Sequence, residues 1–236
     1  MKVTYLLLLN LILLFSNCTA QHSEPKGYSL KKEYGLQGAV KEVSTYLCKV
    51  SKKVIPTDTS NFFGKYKLTF DRQGNGVVNY RKRKNDNGMV IIYEMIYTGQ
   101  GKNITYKEHI SIDGKETEVT EYKYVWLDDL NYNIVNQSDT SQAQMVTTDQ
   151  NYRIVKSQSK QGDIVGTNNY KYFIKNNRIE KTVTLNERKE NEVVKSVEVM
   201  VMKDFDAHNN PTKIYFYNNL AEKNPETVIF KQYKYY

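Results

Sequence analysis

Two kinds of turn signal alternate along this chain and divide it into strand-length segments of about ten residues. The first kind is an aromatic or apolar residue, a short polar residue, two variable positions, and then Gly or Asn. Copies begin at positions 70, 97, 127 and 205, and weaker copies, each of which lacks part of the pattern, begin at 148 and 173. The second kind lies between them and consists of polar clusters such as Asp113-Gly114. Helical periodicity is nearly absent, whereas two-residue alternation, clearest in Val193–Val201, runs throughout.

The spacing of the first turn predicts how the strands are connected. Successive copies lie 21 to 32 residues apart, which leaves room for two strands and two turns. Two strands return the chain to the side it left, so all six copies should lie at one edge of a single sheet. We therefore predict an all-β fold: a long antiparallel up-and-down meander, twisted or curled and able to close toward a barrel. No sizeable helix is expected apart from a signal peptide. A long loop at Asn136–Gln142 would instead shift the last three copies to the opposite edge.

The short polar residue and the Gly or Asn of this turn have separate mechanical roles. An Asp after the ring can accept a backbone N–H two residues on and close an Asx-turn. Gly or Asn four residues after the ring can supply the positive φ that a hairpin needs. We assign a structural role, and neither a catalytic nor a metal-binding one, to Asp71, Gly74, Asp128, Asn131, Asp206 and Asn209.

Two of these turns carry a recognisable pattern. Phe70-Asp71-x-x-Gly74-Asn75 and Phe205-Asp206-x-x-Asn209-Asn210 resemble YD (RHS-type) repeats, and more specifically the degenerate copies of small bacterial envelope lipoproteins. The opening Leu36–Val43 is similar to the start of such proteins. The resemblance covers most of residues 36–236. It implies a long curved β meander, sometimes closed into a barrel or shell, and it implies no activity.

The N-terminus predicts export. Lys2 precedes an apolar run from Tyr5 to Phe15, which has the length of a signal-peptide core. A membrane-spanning helix needs roughly 20 apolar residues, about twice that length. The chain therefore crosses a membrane during synthesis, and no second apolar stretch follows.

Two processing sites compete at the end of the signal peptide. The motif ending at Cys18 resembles a bacterial lipobox, in which the cysteine becomes the lipidated N-terminus, whereas cleavage after Ala20 would leave no lipid. We favour lipidation, which would tether the protein to a membrane surface. The predicted organisation is a signal peptide at 1–20, a polar tether at 21–35 and one β domain at 36–236. The expected location is the cell envelope, as an outer-membrane lipoprotein on the periplasmic or surface face, and otherwise the periplasm or the medium.

The sharpest charge feature is a run of four basic residues in a chain of net charge +8: Arg81, Lys82, Arg83 and Lys84. Export argues against nucleic acid as the partner. An anionic glycan, a lipopolysaccharide or an envelope protein is the more sensible partner for such a patch. The simpler interpretation is a solvated strand end, where charges block edge-to-edge aggregation.

Residues that carry out catalysis are scarce. The chain has three histidines, and Cys48 is the only cysteine left after processing. We expect it to be an inert buried thiol. No metal spacing, nucleophile motif or cofactor motif is present. Residues 204–210 are weakly similar to a calcium-binding loop, but they lack the Gly and the distal Glu of such a loop. We therefore predict a non-enzymatic binding module or scaffold. The alternatives are an outer-membrane β-barrel, which charges on both faces of Lys115–Trp126 disfavour, and an enzyme with an unrecognised site.

Overall fold

The computed structural model describes residues 27–236, which form fourteen antiparallel strands closed into a barrel and one short helix. The predicted signal peptide and Cys18 lie outside the described residues. The elements are α1 (Leu30–Glu33), β1 (Val40–Lys49), β2 (Gly64–Phe70), β3 (Gly76–Lys84), β4 (Val90–Gln100), β5 (Asn103–Ile112), β6 (Lys115–Trp126), β7 (Asn131–Asn136), β8 (Ala143–Thr148), β9 (Ile154–Gln161), β10 (Ile164–Lys175), β11 (Arg178–Lys189), β12 (Val193–Phe205), β13 (Pro211–Tyr217) and β14 (Thr227–Tyr235). The all-β meander is confirmed, and it closes.

Each strand pairs with its neighbours in sequence, and β1 pairs with β14 to complete the ring. The closing ladder places Val43 opposite Tyr233 and Leu47 opposite Ile229. The segment Gln137–Gln142 is a chain reversal between the paired strands β7 and β8. The alternation of strand directions therefore continues through it unchanged. All six copies of the aromatic turn therefore lie at one end of the barrel, together with the start of β1 and the end of β14, as predicted.

The residues that point into the barrel are identified by their contacts with the N-terminal segment 27–38. This segment contacts strands or turns around the whole ring, which a segment can do only from inside. The Lys31 N–H donates to Gly74 O after β2, and Glu33 contacts Tyr132 on β7. A Cβ on Gly35 would meet Ile179 on β11. We call segment 27–38 the plug, the end of the barrel that it fills the plugged end, and the opposite end the mouth.

The plug corrects the predicted domain boundary. Residues 27–35 were expected to belong to a polar tether, because they lack any periodic apolar pattern. Instead Tyr28, Leu30 and Leu36 are buried, and Leu30 packs against Val40 and Phe70. Periodicity fails as a signal here because the segment is surrounded on all sides, so no single face of it has to be apolar. A tether can extend only from the residues before 27.

Five of the six aromatic turns have the expected positive φ, and in four of these a Gly or Asn supplies it as predicted. Gly74, Gly101, Tyr152, Asn177 and Asn209, each four residues after the first position, all have positive φ. The exception is the copy at 127. There Asn131 already begins β7 and is not among the positive-φ residues, so its predicted backbone role is wrong.

Candidate binding site inside the barrel

Two of the aromatic turns bond the plug backbone directly, one through Asn210 and the other through the carbonyl of Gly74. Asn210 is fully buried; its Oδ1 accepts the Gln37 N–H at 2.8 Å and its Nδ2 donates to Gln37 O at 2.9 Å. Asn75 accepts the Gly101 N–H at 2.9 Å and donates to the Asp71 carboxylate. Asn75 thus joins its own turn to the turn at 97, whereas Asn210 binds the plug backbone.

The Asp residues of these turns hold the turns themselves. The Asp71 Oδ1 accepts the N–H groups of Gln73 and Asn75 at 2.9 and 2.8 Å. The Asp206 Oδ1 makes the same pair of bonds, with His208 and Asn210, at 2.9 Å each. The carboxylate oxygen that a calcium ion would use is thus directed at backbone N–H groups. Among residues 27–236 there is no cluster of three metal-ligating side chains.

A buried carboxylate anchors the centre of the plug. The Glu33 carboxylate accepts hydrogen bonds from the hydroxyl of Tyr28 and, at 2.7 Å, from that of Tyr132. Burial raises the pKa of Glu33, and the two phenol hydrogen bonds oppose that shift. The plug thus depends on a polar network that is satisfied by tyrosine donors rather than by a cation.

An aromatic collar surrounds this network. The Tyr28 ring lies 4.8 Å from Trp126, 6.1 Å from Tyr132 and 5.6 Å from Tyr152, all edge-on. Tyr124 stacks on Tyr132 at 5.0 Å. Tyr124 and Trp126 of β6 therefore point inward and pack in one cluster with Tyr28 of the plug.

The mouth of the barrel is open and holds a cavity of 760 Å³. This volume lies within the range of small-molecule sites, roughly 300–1,000 Å³. Its wall is the inner face of β14 and β1 to β5 near the mouth, and its lining includes the apolar side chains of Ile91 and Met95. Its charged lining residues are Lys49, Arg81, Arg83, Lys84, Asp86, Glu108 and Glu226.

The basic run on β3 is divided between the two faces of the barrel wall. Arg81 is the cross-strand partner of Tyr66 on β2, and both line the cavity together with Arg83. Lys82 lies between the two arginines and points outward, because successive side chains of a strand alternate. The predicted patch Arg81–Lys84 is therefore not one surface: its two arginines belong to the cavity, whereas Lys82 belongs to the outer wall.

Neither cavity arginine is bound to a carboxylate among the described ion pairs. The Arg81 Nε donates to Asn79 Oδ1 at 3.3 Å. The Arg83 guanidinium donates to the Tyr66 hydroxyl and lies 5.4 Å from the centre of that ring. Arg81 also hydrogen-bonds the Tyr34 hydroxyl of the plug. Glu108 is electrostatically coupled to Arg81: burial raises the pKa of Glu108, and the Arg81 charge opposes that shift. Guanidinium N–H groups therefore remain to bind an added anion.

A cross-strand row runs from the cavity wall around the barrel to Lys231, which is not itself one of the residues that line the cavity. Arg81 is paired with Tyr66, Tyr66 with Thr45 on β1, and Thr45 with Lys231 on β14. Directly paired residues share a face, so Lys231 also points inward. Burial lowers the pKa of Lys231 to about 8. Nothing in the sequence singles out Lys231, because it stands in a strand with several other lysines and only the register reveals its face.

The remaining candidates are placed away from the cavity. Cys48 is buried on the outer face beneath the carbonyl of Asp58, and burial raises the pKa of its thiol, the opposite of what a nucleophile requires. His109 points outward and contacts Glu116 at 2.8 Å. His208 stacks on Tyr235 at 4.2 Å. Within residues 27–236, no helix has the length and hydropathy to cross a membrane.

These features define a closed fourteen-stranded β-barrel with an internal N-terminal plug and a cavity at its mouth. No protein-family model matches the chain, and no curated protein matches it. Among solved structures, a porin-like protein from Bacteroides uniformis aligns with 84% of this chain and 98% of its own, at 8% identity and a TM-score of 0.26. A similarity this low carries no argument about function.

Proposed function

We propose that this chain is an exported, non-enzymatic binding protein, tethered to a bacterial membrane by a lipid on Cys18, that takes an anionic ligand into the mouth of its barrel. The observation that carries the proposal is the pair Arg81 and Arg83, which line a ligand-sized cavity without carboxylate partners. The Cys18 lipid itself is inferred from the sequence motif.

The outer wall supports a barrel that stands in water. The outward residues Lys107 and Glu121 lie opposite each other at mid-strand and pair at 2.9 Å, each about half exposed. Alternation places many further charges on that wall: Glu42, Lys67, Lys82, Glu94, Lys123, Lys156, Lys171, Glu187, Lys195 and Lys234. A lipid-facing Lys or Arg at the bilayer midplane costs ~2–4 kcal/mol, so a wall of this kind favours water.

Two loops from the mouth fold back over the same wall. Phe62, in the β1–β2 loop, packs its ring 5.5 Å from the outward Tyr46. Glu222, in the β13–β14 loop, pairs with the outward Lys181 at 2.6 Å. The outward Val199 is fully buried. Irregular backbone of this kind does not occur against lipid hydrocarbon, because its polar groups would be unsatisfied.

The position of Gly27 supports one orientation of the proposed tether. The chain enters at the plugged end, and Cys18 precedes Gly27 by nine residues. Nine extended residues span at most ~30 Å. A lipid on Cys18 would therefore hold the plugged end near the membrane and leave the mouth facing away from it, where a ligand can enter.

Lipidation is tested with radiolabelled fatty acid and cell fractionation. The wild-type chain should incorporate label and fractionate with membranes, and Cys18→Ser should abolish labelling and release the protein into the soluble fraction. Unchanged labelling and fractionation in Cys18→Ser would refute the tether.

Anion binding is tested by calorimetry with a monocarboxylate, octanoate, and a sulfated disaccharide. Arg81→Gln and Arg83→Gln should each weaken binding by about tenfold, the scale of one charge-assisted hydrogen bond. The matched control is Lys82→Gln, which removes a neighbouring charge from the outer face and should leave binding unchanged. Equal loss in all three variants would indicate a nonspecific charge effect and refute the cavity site.

The second candidate is an outer-membrane β-barrel, which the closure of an even number of antiparallel strands favours. It differs in a measurable way, because such a barrel needs detergent or lipid to remain folded. The charged, loop-covered outer wall makes it the weaker candidate.

A further inference from the structure

We infer that the cavity takes a ligand with two anionic groups, one bound by Arg81 and Arg83 and the other by Lys231. This inference rests on the proposed anion-binding function and specifies the ligand class. The geometry that carries it is the cross-strand row that joins Arg81 to Lys231 along the inner wall.

Lys231 is a cation without a counter-ion. No residue of 27–236 forms an ion pair with its ammonium group. Its inward neighbours on adjacent strands are Leu47 and Thr45 on β1 and Ile214 on β13, none of them ionisable. On its own strand the nearest titratable group is the inward Tyr233, whose hydroxyl donates to Pro211 O. Burial without a partner is unfavourable for an ammonium group, and it lowers the pKa of Lys231 to about 8.

An anionic group of a ligand would supply the counter-ion that Lys231 lacks. A charged side chain that is buried without a partner is costly, and such residues in proteins are normally paired. Arg81 and Arg83 present the same situation at the mouth, where their partners are an amide and a phenol. Two sites that each lack an anion on one continuous wall indicate one ligand that serves both.

The register limits the distance between the two anionic groups. Arg81 and Lys231 are separated by three strand spacings of ~4.8 Å, which is ~14 Å along the wall. The wall is curved and both side chains point inward, so their charged ends lie closer together than their backbones. Between them stand the side chains of Tyr66 and Thr45, which can donate hydrogen bonds to the middle of the ligand.

The experiment compares dicarboxylates from succinate to sebacate with monocarboxylates of the same length, by calorimetry on the folded protein at pH 7. The best dicarboxylate should bind wild type about tenfold more tightly than its monocarboxylate. That advantage should vanish in Lys231→Met, where the two ligands should bind equally. The control Lys82→Met should retain it.

The outcomes separate this inference from the function on which it rests. An advantage that persists in Lys231→Met, or no advantage at any length, overturns the second anionic contact and leaves the first intact. Monocarboxylate binding that is indifferent to Arg81→Gln overturns the proposed function itself. As an independent readout, the pKa of Lys231, measured by NMR of its side-chain nitrogen, should rise when the dicarboxylate saturates the protein. An unchanged pKa of Lys231 on saturation would also overturn the second contact.

Discussion

Lys231→Met should stabilise the folded protein, because the folded state holds an ammonium group where it has no counter-ion. Methionine has a similar length and no charge. Burial lowers the pKa of Lys231 from 10.5 to about 8, and one pKa unit corresponds to ~1.4 kcal/mol. The cost of the charged lysine at neutral pH is therefore at most about 3 kcal/mol, because the side chain is only half-buried. Below pH 8 both folded and unfolded states are protonated, so this cost is fully present there.

The pH dependence distinguishes this explanation from improved packing. Between pH 8 and 10.5 the unfolded state binds more protons than the folded state, so the wild type regains stability as pH rises. The gain of Lys231→Met should thus be largest at pH 7 and much smaller at pH 10. Urea denaturation at both pH values, with unchanged m-values, measures it. An equal gain at both pH values, or a loss at pH 7, would refute the reasoning.

Four further substitutions test the plug and the turns. Asp71→Ala and Asp206→Ala should each lower the free energy of unfolding by about 2 kcal/mol, since each carboxylate accepts two backbone N–H groups, and added calcium should leave the Tm of the wild type unchanged. Gly76→Ala should destabilise the protein by ~1–3 kcal/mol, because the added Cβ would lie 2.4 Å from a methyl group of the plug. The control Gly166→Ala, at a β10 glycine that also lacks a positive φ, should change the stability little, and equal effects would contradict the packing of the plug. Glu33→Gln should stabilise at pH 7 and not at pH 4, because the raised pKa of Glu33 makes its ionised form costly only above that pKa; a loss at pH 7 would contradict this.

The meander could be predicted from the sequence because its turns are local. Each aromatic turn is built from residues within five positions of one another, such as Phe70 and Asn75, so the turn can be recognised from the sequence alone. Parity then places all six copies at one end without any knowledge of long-range contacts. The prediction for Asn131 was wrong because the turn at 127 is one residue shorter. Asn131 there takes the place that Asn75 has in the copy at 70, and each donates its side-chain amide to the Asp of its own turn.

The interior could not be predicted, since it depends on register. Arg81 and Lys82 are adjacent in sequence, yet one lines the cavity and the other the outer wall. Lys231 belongs to the same row as Arg81 only because β1 lies between β14 and β2. The plug could not be predicted for a related reason, because its contacts are distant in sequence. Glu33 and Gln37 bond Tyr132 and Asn210, which are 99 and 173 residues away.

The position of the barrel relative to the bilayer is the central claim, and detergent-free folding of the exported Cys18→Ser chain tests it most directly. The account predicts that this protein is recovered from the soluble fraction and shows a cooperative β-sheet unfolding transition in buffer alone. Recovery only from membranes, with folding that requires detergent micelles or lipid vesicles, would contradict it and favour the outer-membrane barrel.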